Sequence, residues 1–306
     1  MSEPTQTYAA ASEVGAVRKR RTRLERIGLL LKSAPPSAWF GMVVVALYIL
    51  VALLADVLAP YGEAQIHPVP FAPWGGDHFF GTDQIGRDVL TRLIYGARNT
   101  MGIALATTLL SFLIGGGLGL VAAINRRWLD QFLSRFVDVL MAIPSLIFAL
   151  MLLSIFGSTV TSLIMIIAVL DSTRVFRLTR SVAVNVAVMD YVEAARLRGE
   201  GLGWVMRREI LPNIMPPLIA EFGLRFCFVF LTIAALSFLG VGIQPPTADW
   251  GSMVRENASL IQFAKYDITA AITPLLPAAA IALLTVAVNF IVDWFLHKTS
   301  GLRDDQ

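Results

Sequence analysis

Residues 38–59 read AWFGMVVVALYILVALLADVLA, twenty-two positions whose only charge, Asp56, stands near the end. About 20 mainly apolar residues cross about 30 Å of hydrocarbon at 1.5 Å per residue. This run therefore predicts a membrane-spanning helix. Five further runs follow it: 101–124, 137–156, 159–175, 217–241 and 271–295. The run at 137–156 carries Pro144, which predicts a kink. The expected fold is an all-α integral membrane protein with six transmembrane helices.

Composition agrees. Of 306 residues, 56% are hydrophobic and 15% charged, whereas soluble domains run to about 45–50% apolar and about 25% charged. The mean hydropathy is +0.67. Soluble enzymes, disordered chains and nucleic-acid-binding proteins are excluded, and the net charge of +3 reads as a topology signal with no nucleic acid as partner. The single cysteine, Cys227, rules out an internal disulfide and a Cys-rich metal site, and its apolar surroundings suit a small buried residue.

The loops set the expected orientation. Nineteen Lys/Arg fall before the first run, between the second and third, between the fourth and fifth, and after the sixth; five fall on the opposite side. The positive-inside rule then places both termini in the cytoplasm. The first apolar run is too long for a signal peptide and lacks a small-residue cleavage site after it. Residues 17–34 place Leu24, Ile27, Leu30 and Leu31 opposite a basic face. They fit a helix on the anionic inner leaflet, with membrane lipid as partner, or a solvated basic tail that only fixes topology. The chain thus divides into a basic tail (1–37), a first span (38–60), an outer loop (61–96), a five-helix domain (97–296) and a short tail (297–306).

The outer loop begins PYGEAQIHPVPFAPWGGDH and continues FGTDQIGRDVLTRLIYGARNT. Thr82 or Asp83 can cap a helix in the second part, with Asp88 and Arg92 as an i,i+4 pair. This reads as an interfacial helix capping the bundle. His67 and His78 lack metal-ligand periodicity, and no metal is expected.

The stretch from Asp190, DYVEAARLRGEGLGWVMRREILPN, predicts two short helices. The first places Tyr191, Ala194, Ala195 and Arg198 at i, i+3, i+4 and i+7; Gly199, Gly201 and Gly203 break it. The second runs from Trp204 to about Leu211, ended by Pro212. Such a knob, with Glu193 exposed, suits insertion into a partner's groove. An ordinary structured loop is the alternative.

Here the sequence resembles a known family. EAARLRG followed by LP matches the EAA motif of type I ABC-importer permeases at Glu193, Ala194, Ala195, Gly199, Leu211 and Pro212; it departs at Glu209, where an apolar residue or His is usual. FGTDQIGRDVLTRLIYGARN (80–99), ALSFLGVGIQPPTADWGSM (235–253) and TRVFRLTRS (173–181) resemble the dipeptide/oligopeptide permeases, specifically their C-type subunit. Asp249 stands where that family more often has Glu. The resemblance implies the type I importer permease fold and one half of a transmembrane pathway for short peptides. It also implies a homologous B-type permease, two cytoplasmic ABC ATPases and an extracytoplasmic solute-binding protein as partners. Glu193 would be the polar contact with the ATPase, Gly199 the elbow, and Leu211-Pro212 the apolar seat. Similar relatives carry nickel, glutathione, opines or oligosaccharides.

Charges inside spans require partners. Asp171 has Arg174 at i+3, Glu221 has Arg225 at i+4, and Arg135 has Asp138 at i+3; they read as ion pairs near the cytoplasmic ends of their spans, with Glu221 or Arg225 as a pathway-lining alternative. Gly115, Gly116, Gly117 and Gly119 suit close helix packing. Residues 252–263 read as a short re-entrant helix on the outer face. No G-x-x-x-x-G-K-[ST] occurs, so this chain is expected to bind no cofactor, ATP-Mg being used by separate ATPase chains, and to be no enzyme. An ion-coupled secondary transporter would show inverted repeats, and an intramembrane enzyme a paired Asp, a Ser/His set or HExxH; neither pattern is found.

Overall fold

The computed structural model describes residues 33–125 and 128–299. The amphipathic N-terminal helix expected at 17–34 lies, but for its last two positions, outside the described residues. Among the described residues the secondary structure is helical, apart from two isolated β-bridges in the outer loop.

Pro36–Leu53 forms α1, and a break at Leu54 separates it from the single turn α2, Ala55–Leu58. Helix α3 runs unbroken from Val89 to Ile124. This corrects the expectation of a separate interfacial helix: the outer-loop segment is the first three turns of the second span. Its N-cap is Asp88, not Thr82 or Asp83, and the Asp88 carboxylate accepts from Thr91 N at 2.7 Å.

Trp128–Ala142 (α4) and Ser145–Phe156 (α5) meet at 90°, far sharper than a kink within one span. The residue before a proline is disfavoured in the helical region, so α4 stops ahead of Ile143-Pro144. Helix α6, Val160–Ala187, is 28 residues long, which extends the expected span 159–175 well past its end. Asp190–Leu197 is α7 and Leu202–Val205 is α8.

A π-turn, Met206–Ile210, then leads into α9, Leu211–Phe238. The second knob helix therefore does not end at Pro212. A proline lacks an N–H and its ring clashes with the carbonyl four residues back. The wider i→i+5 turn just before it, closed by Leu211 N donating to Met206 O, absorbs that defect. Asn213 Nδ2 also donates to the Glu209 carbonyl. Trp250–Asn257 is α10, followed by a 3₁₀ turn at Ala258–Phe263. The segment expected to be re-entrant is thus helical. Ile268–Ile272 is α11 and Leu275–Thr299 is α12.

Four of these helical stretches are long and apolar enough to cross a membrane, or five if α4 and α5 count as one span. Helix α6 has the length but carries Asp171, Arg174, Arg177 and Arg180 within ten residues. The core joins Leu153, Leu163, Phe230, Ile233, Leu236 and Leu284 around Trp250, whose indole meets the rings of Tyr48 and Phe230 edge-on.

The most extensive helix contact among the described residues is α3 on α6. A Cβ added to Gly115 would lie 2.3 Å from Ser172 O, and one on Gly119 would lie 2.9 Å from Phe176 O. These two glycines, four apart on one face, let the backbones approach as the small residues predict. Gly116 is also buried, with Thr179 Oγ1 of α6 4.0 Å from a Cβ added there, whereas Gly117 has nothing within 4 Å.

Candidate functional site

Three polar constellations are built on this frame. The first is the knob between α6 and α9. Asp190 and Glu193 occupy the first turn of α7, where carboxylates complement the helix dipole. The helix ends in a Schellman turn: Glu200 N donates to Ala195 O at 3.2 Å, Gly199 N to Arg196 O at 2.9 Å, and Gly199 has φ +86°. An L-side chain strains that conformation, which is why glycine stands there.

Val192, Ala195, Val205 and Ile210 are fully buried against the ends of α3, α6 and α9. The helix expected from the spacing of Tyr191, Ala194, Ala195 and Arg198 forms, with Val192 and Ala195 as its inner face and Tyr191, Ala194 and Arg198 exposed. Turning Arg198 inward would desolvate a charge without a partner. Glu193, Ala194, Gly199 and Pro212 are exposed and Leu211 is half-buried. Leu197 is 83% exposed, and Leu202 and Trp204 face outward nearby. Glu193, Arg196 and Leu197 border a hollow of about 430 Å³ beside Ile124 and Val188. The knob is thus rigidly seated underneath and presents an acid, a bare glycine turn and several apolar side chains.

The second constellation joins the two charge pairs expected within the spans. Arg225 on α9 has Nε 2.7 Å from Glu221 Oε1 and Nη1 3.5 Å from Asp171 Oδ1 on α6. Arg174 Nη1 is 4.0 Å from Asp171 Oδ1, and Ser111 Oγ of α3 donates to Asp171 Oδ2 at 3.2 Å. Arg225 also lies over the Phe228 ring, 4.6 Å from its centroid. Its Nε and Nη1 stand at ion-pair distance without hydrogen-bond geometry. Two cations and two anions thus balance where three helices meet, as buried charges require. Because α6 is longer than expected, Asp171 stands near its middle rather than toward its end. The Arg135–Asp138 pair does not form; Asp130 instead pairs with Arg180 across α4 and α6.

The third constellation was not anticipated as a unit. Arg87 Nε donates to Asp83 Oδ2 and Arg87 Nη2 to Glu256 Oε2, each at 2.7 Å, with all three side chains buried. Arg92 is 3.4 Å from Glu256 Oε2 and 3.7 Å from Asp83 Oδ2. The expected Asp88–Arg92 pair is therefore replaced. Asp88 caps α3 and meets His78 Nδ1 at 2.9 Å, while His78 and His67 lie 4.5 Å apart between ring centroids. Asp249 caps α10 through Ser252 N and accepts from Thr100 Oγ1 at 3.0 Å. Burial pushes the Asp249 carboxyl above the usual carboxylate range. The motifs at 80–99 and 235–253 are thus two sides of one contact. Asp83 and Arg87 at i,i+4 carried a signal for it; Glu256, 169 residues from Arg87, carried none.

Helices alone, four of them of membrane length among the described residues, define a polytopic membrane protein. Residues 115–298 match the family model described as binding-protein-dependent transport system inner membrane component. The chain is 32% identical over 265 residues to a dipeptide transport system permease protein of Alkalihalophilus pseudofirmus, covering 86% of this chain and 83% of that one. It is 36% identical over 294 residues to a putative peptide transport system permease protein of Brucella suis, covering 94% and 89%. It is 34% identical over 271 residues to a di/tripeptide transport system permease protein of Pseudomonas aeruginosa, covering 86% and 85%. Among solved structures, an inward-facing MetNI methionine ABC transporter chain aligns with a TM-score of 0.51 at 19% identity, covering 67% of this chain and 97% of that one, a likeness of fold.

The chain belongs to the binding-protein-dependent transport system inner membrane component family, among its dipeptide/oligopeptide ABC permeases. It is a membrane-embedded transport subunit of an ABC importer that works with an ATPase and a binding protein.

Proposed function

We propose that this chain forms one half of the transmembrane pathway of an importer for short peptides, paired with a homologous B-type permease. Two cytoplasmic ATPases supply ATP-Mg hydrolysis, an extracytoplasmic solute-binding protein delivers cargo, and this chain binds no cofactor of its own. The peptide substrate class rests on the names of relatives that align over most of the chain. Nickel, glutathione, an opine or an oligosaccharide is the alternative cargo.

In this reading the chain has six spans in the type I arrangement, with α4–α5 and α6 supplying the third and fourth. The permease domain runs over 97–296, and both termini are cytoplasmic in a bacterial inner membrane. The excess of Lys/Arg on one side supports the orientation.

The observation that carries the coupling role is the knob: a buried base of Val192, Ala195, Val205 and Ile210 under an exposed Glu193 and Leu197. A docked partner shifts a conformational equilibrium only through contacts that differ between states, and a rigid base is needed to pass that difference on. Glu193 and Ala194 make the outer contact, Gly199 is the elbow, and Ala195 anchors the first helix inward. Leu211 and Pro212 start the helix that carries motion into the membrane. The Asp171–Arg174–Glu221–Arg225 cluster ties α6 to α9 as an ion-paired joint.

The test is purification from membranes in mild detergent, mass spectrometry of the associated chains, and uptake of labelled dipeptide into vesicles. A second permease with P-loop ATPases and ATP-dependent uptake is expected. A stable particle of this chain alone, with gradient-driven uptake lacking ATP, would overturn the reading.

A further inference from the structure

Helix α1 packs on the bundle through its few buried residues and through Val45, Tyr48, Val51 and Ala52, which meet the core in part. Its buried residues are Ala38, Gly41 and Val44, and a Cβ added to Gly41 would lie 2.4 Å from Ala287 O of α12. A second face carries Val45, Ile49, Ala52, Leu53 and, one turn beyond the helix end, Asp56. This spacing of i, i+4, i+7, i+8 and i+11 places them on one side. That face lines a cleft of about 640 Å³ whose other walls are α3, α9 and α12.

Two properties specify what the cleft takes. The first is length: the α1 wall from Val45 to Asp56 rises about 16 Å, and the α12 wall continues from Leu284 to Phe295, a depth that accommodates an acyl chain. The walls are apolar along this length, and Asp56 and Arg98 are their only charged residues. The second is charge. Arg98 Nη1 donates to Asp56 Oδ2 at 2.9 Å and Tyr95 OH to Asp56 Oδ1 at 3.1 Å, with the Arg98 and Asp56 side chains 51% and 66% exposed. The mouth therefore offers one cation and one anion side by side. A head group carrying a phosphate next to an ammonium complements both; an anionic head group satisfies Arg98 and meets Asp56 as a like charge.

We propose that this cleft binds an acyl chain of a zwitterionic, amine-bearing phospholipid, with its phosphate at Arg98 and Tyr95 and its ammonium at Asp56. The proposal rests on α1 crossing the membrane and is independent of the transported cargo.

Gly102 provides the means of testing it. It lines the cleft, and a Cβ added there meets nothing within 4 Å, so a side chain can enter the cleft without displacing packed atoms. The transporter complex would be purified from membranes, stripped of lipid and titrated with phosphatidylethanolamine and phosphatidylglycerol under native mass spectrometry. Wild type should retain phosphatidylethanolamine in preference to phosphatidylglycerol. Gly102→Leu should lose that retention. Asp56→Asn, at the exposed mouth, should keep a lipid but reduce the head-group preference by up to about fivefold, the upper size of one solvent-reached ion pair.

Three outcomes would overturn the proposal. They are no preference in wild type, unchanged retention by Gly102→Leu, or a photo-crosslinker at Ala52 that captures a second permease chain instead of lipid. Uptake measured in parallel separates this result from the fate of the importer reading.

Discussion

Gly199→Ala isolates the conformation of the knob's hinge from its size. Gly199 has φ +86°, and a Cβ built on it meets nothing within 4 Å. Steric displacement therefore contributes nothing, and the cost is that of holding an L-residue in the left-handed region, about 1–2 kcal/mol. One or two kcal/mol changes a conformational ratio by a factor of about 5–30. The Schellman hydrogen bonds at Glu200 N and Gly199 N depend on that hinge, so the substitution should depopulate the turn that orients α7 against α8. Gly203 is the matched control. It lies within α8, has no positive φ and also has nothing within 4 Å, so alanine there should favour the helix by up to about 1 kcal/mol. Reconstituted transporter would be assayed for peptide uptake and for ATP hydrolysis stimulated by loaded binding protein. Gly199→Ala should lower both by the same several-fold factor, while Gly203→Ala retains both. Gly199→Asn, which tolerates the left-handed region, should fall between them. If Gly199→Ala matched Gly203→Ala in both assays, the argument from the hinge would fail.

Other substitutions probe the remaining sites. Gly115→Leu would drive a side chain into the Ser172 carbonyl and should destabilise the purified protein by about 1–3 kcal/mol; Gly117→Leu, facing open space within the same helix, should not lower the melting temperature. Arg225→Gln removes one partner of a buried ion pair, a change that costs about 3–5 kcal/mol when a charge is left unmatched. Adding Asp171→Asn should recover most of that loss, and strictly additive melting shifts would refute the pairing. Asp88→Ala removes the α3 cap and should cost about 1 kcal/mol, seen as faster amide exchange at Thr91. Asp249 has its carboxyl raised by burial. Its contribution to stability is therefore full below the ordinary Asp pKa of about 3.9 and is lost as pH rises through the raised value. Asp249→Asn should flatten that part of the stability–pH curve; an unchanged slope would show that Asp249 does not set it.

Short-range physics made part of this protein legible from its residues alone. The run at 38–59 requires a membrane because an apolar surface of that length has no other solvent. The turn at Gly199 follows from one residue's freedom at positive φ, and the close approach of α3 to α6 from glycines four apart on one face. Each signal lies within a few turns of chain, where backbone geometry dictates the outcome. Partnerships across the bundle do not have that property. Asp88 and Arg92 have helical pairing spacing, yet Arg92 turns to Glu256, 164 residues away, because α10 brings a second carboxylate to the buried end of α3. Arg225 has Glu221 within its own helix but also reaches Asp171 on α6. The inner face of α7, Val192 and Ala195, has the same origin, since a two-turn helix takes its orientation from the surface beneath it. Only the packed structure fixes how each helix is rotated about its axis, and that rotation decides which buried charges meet.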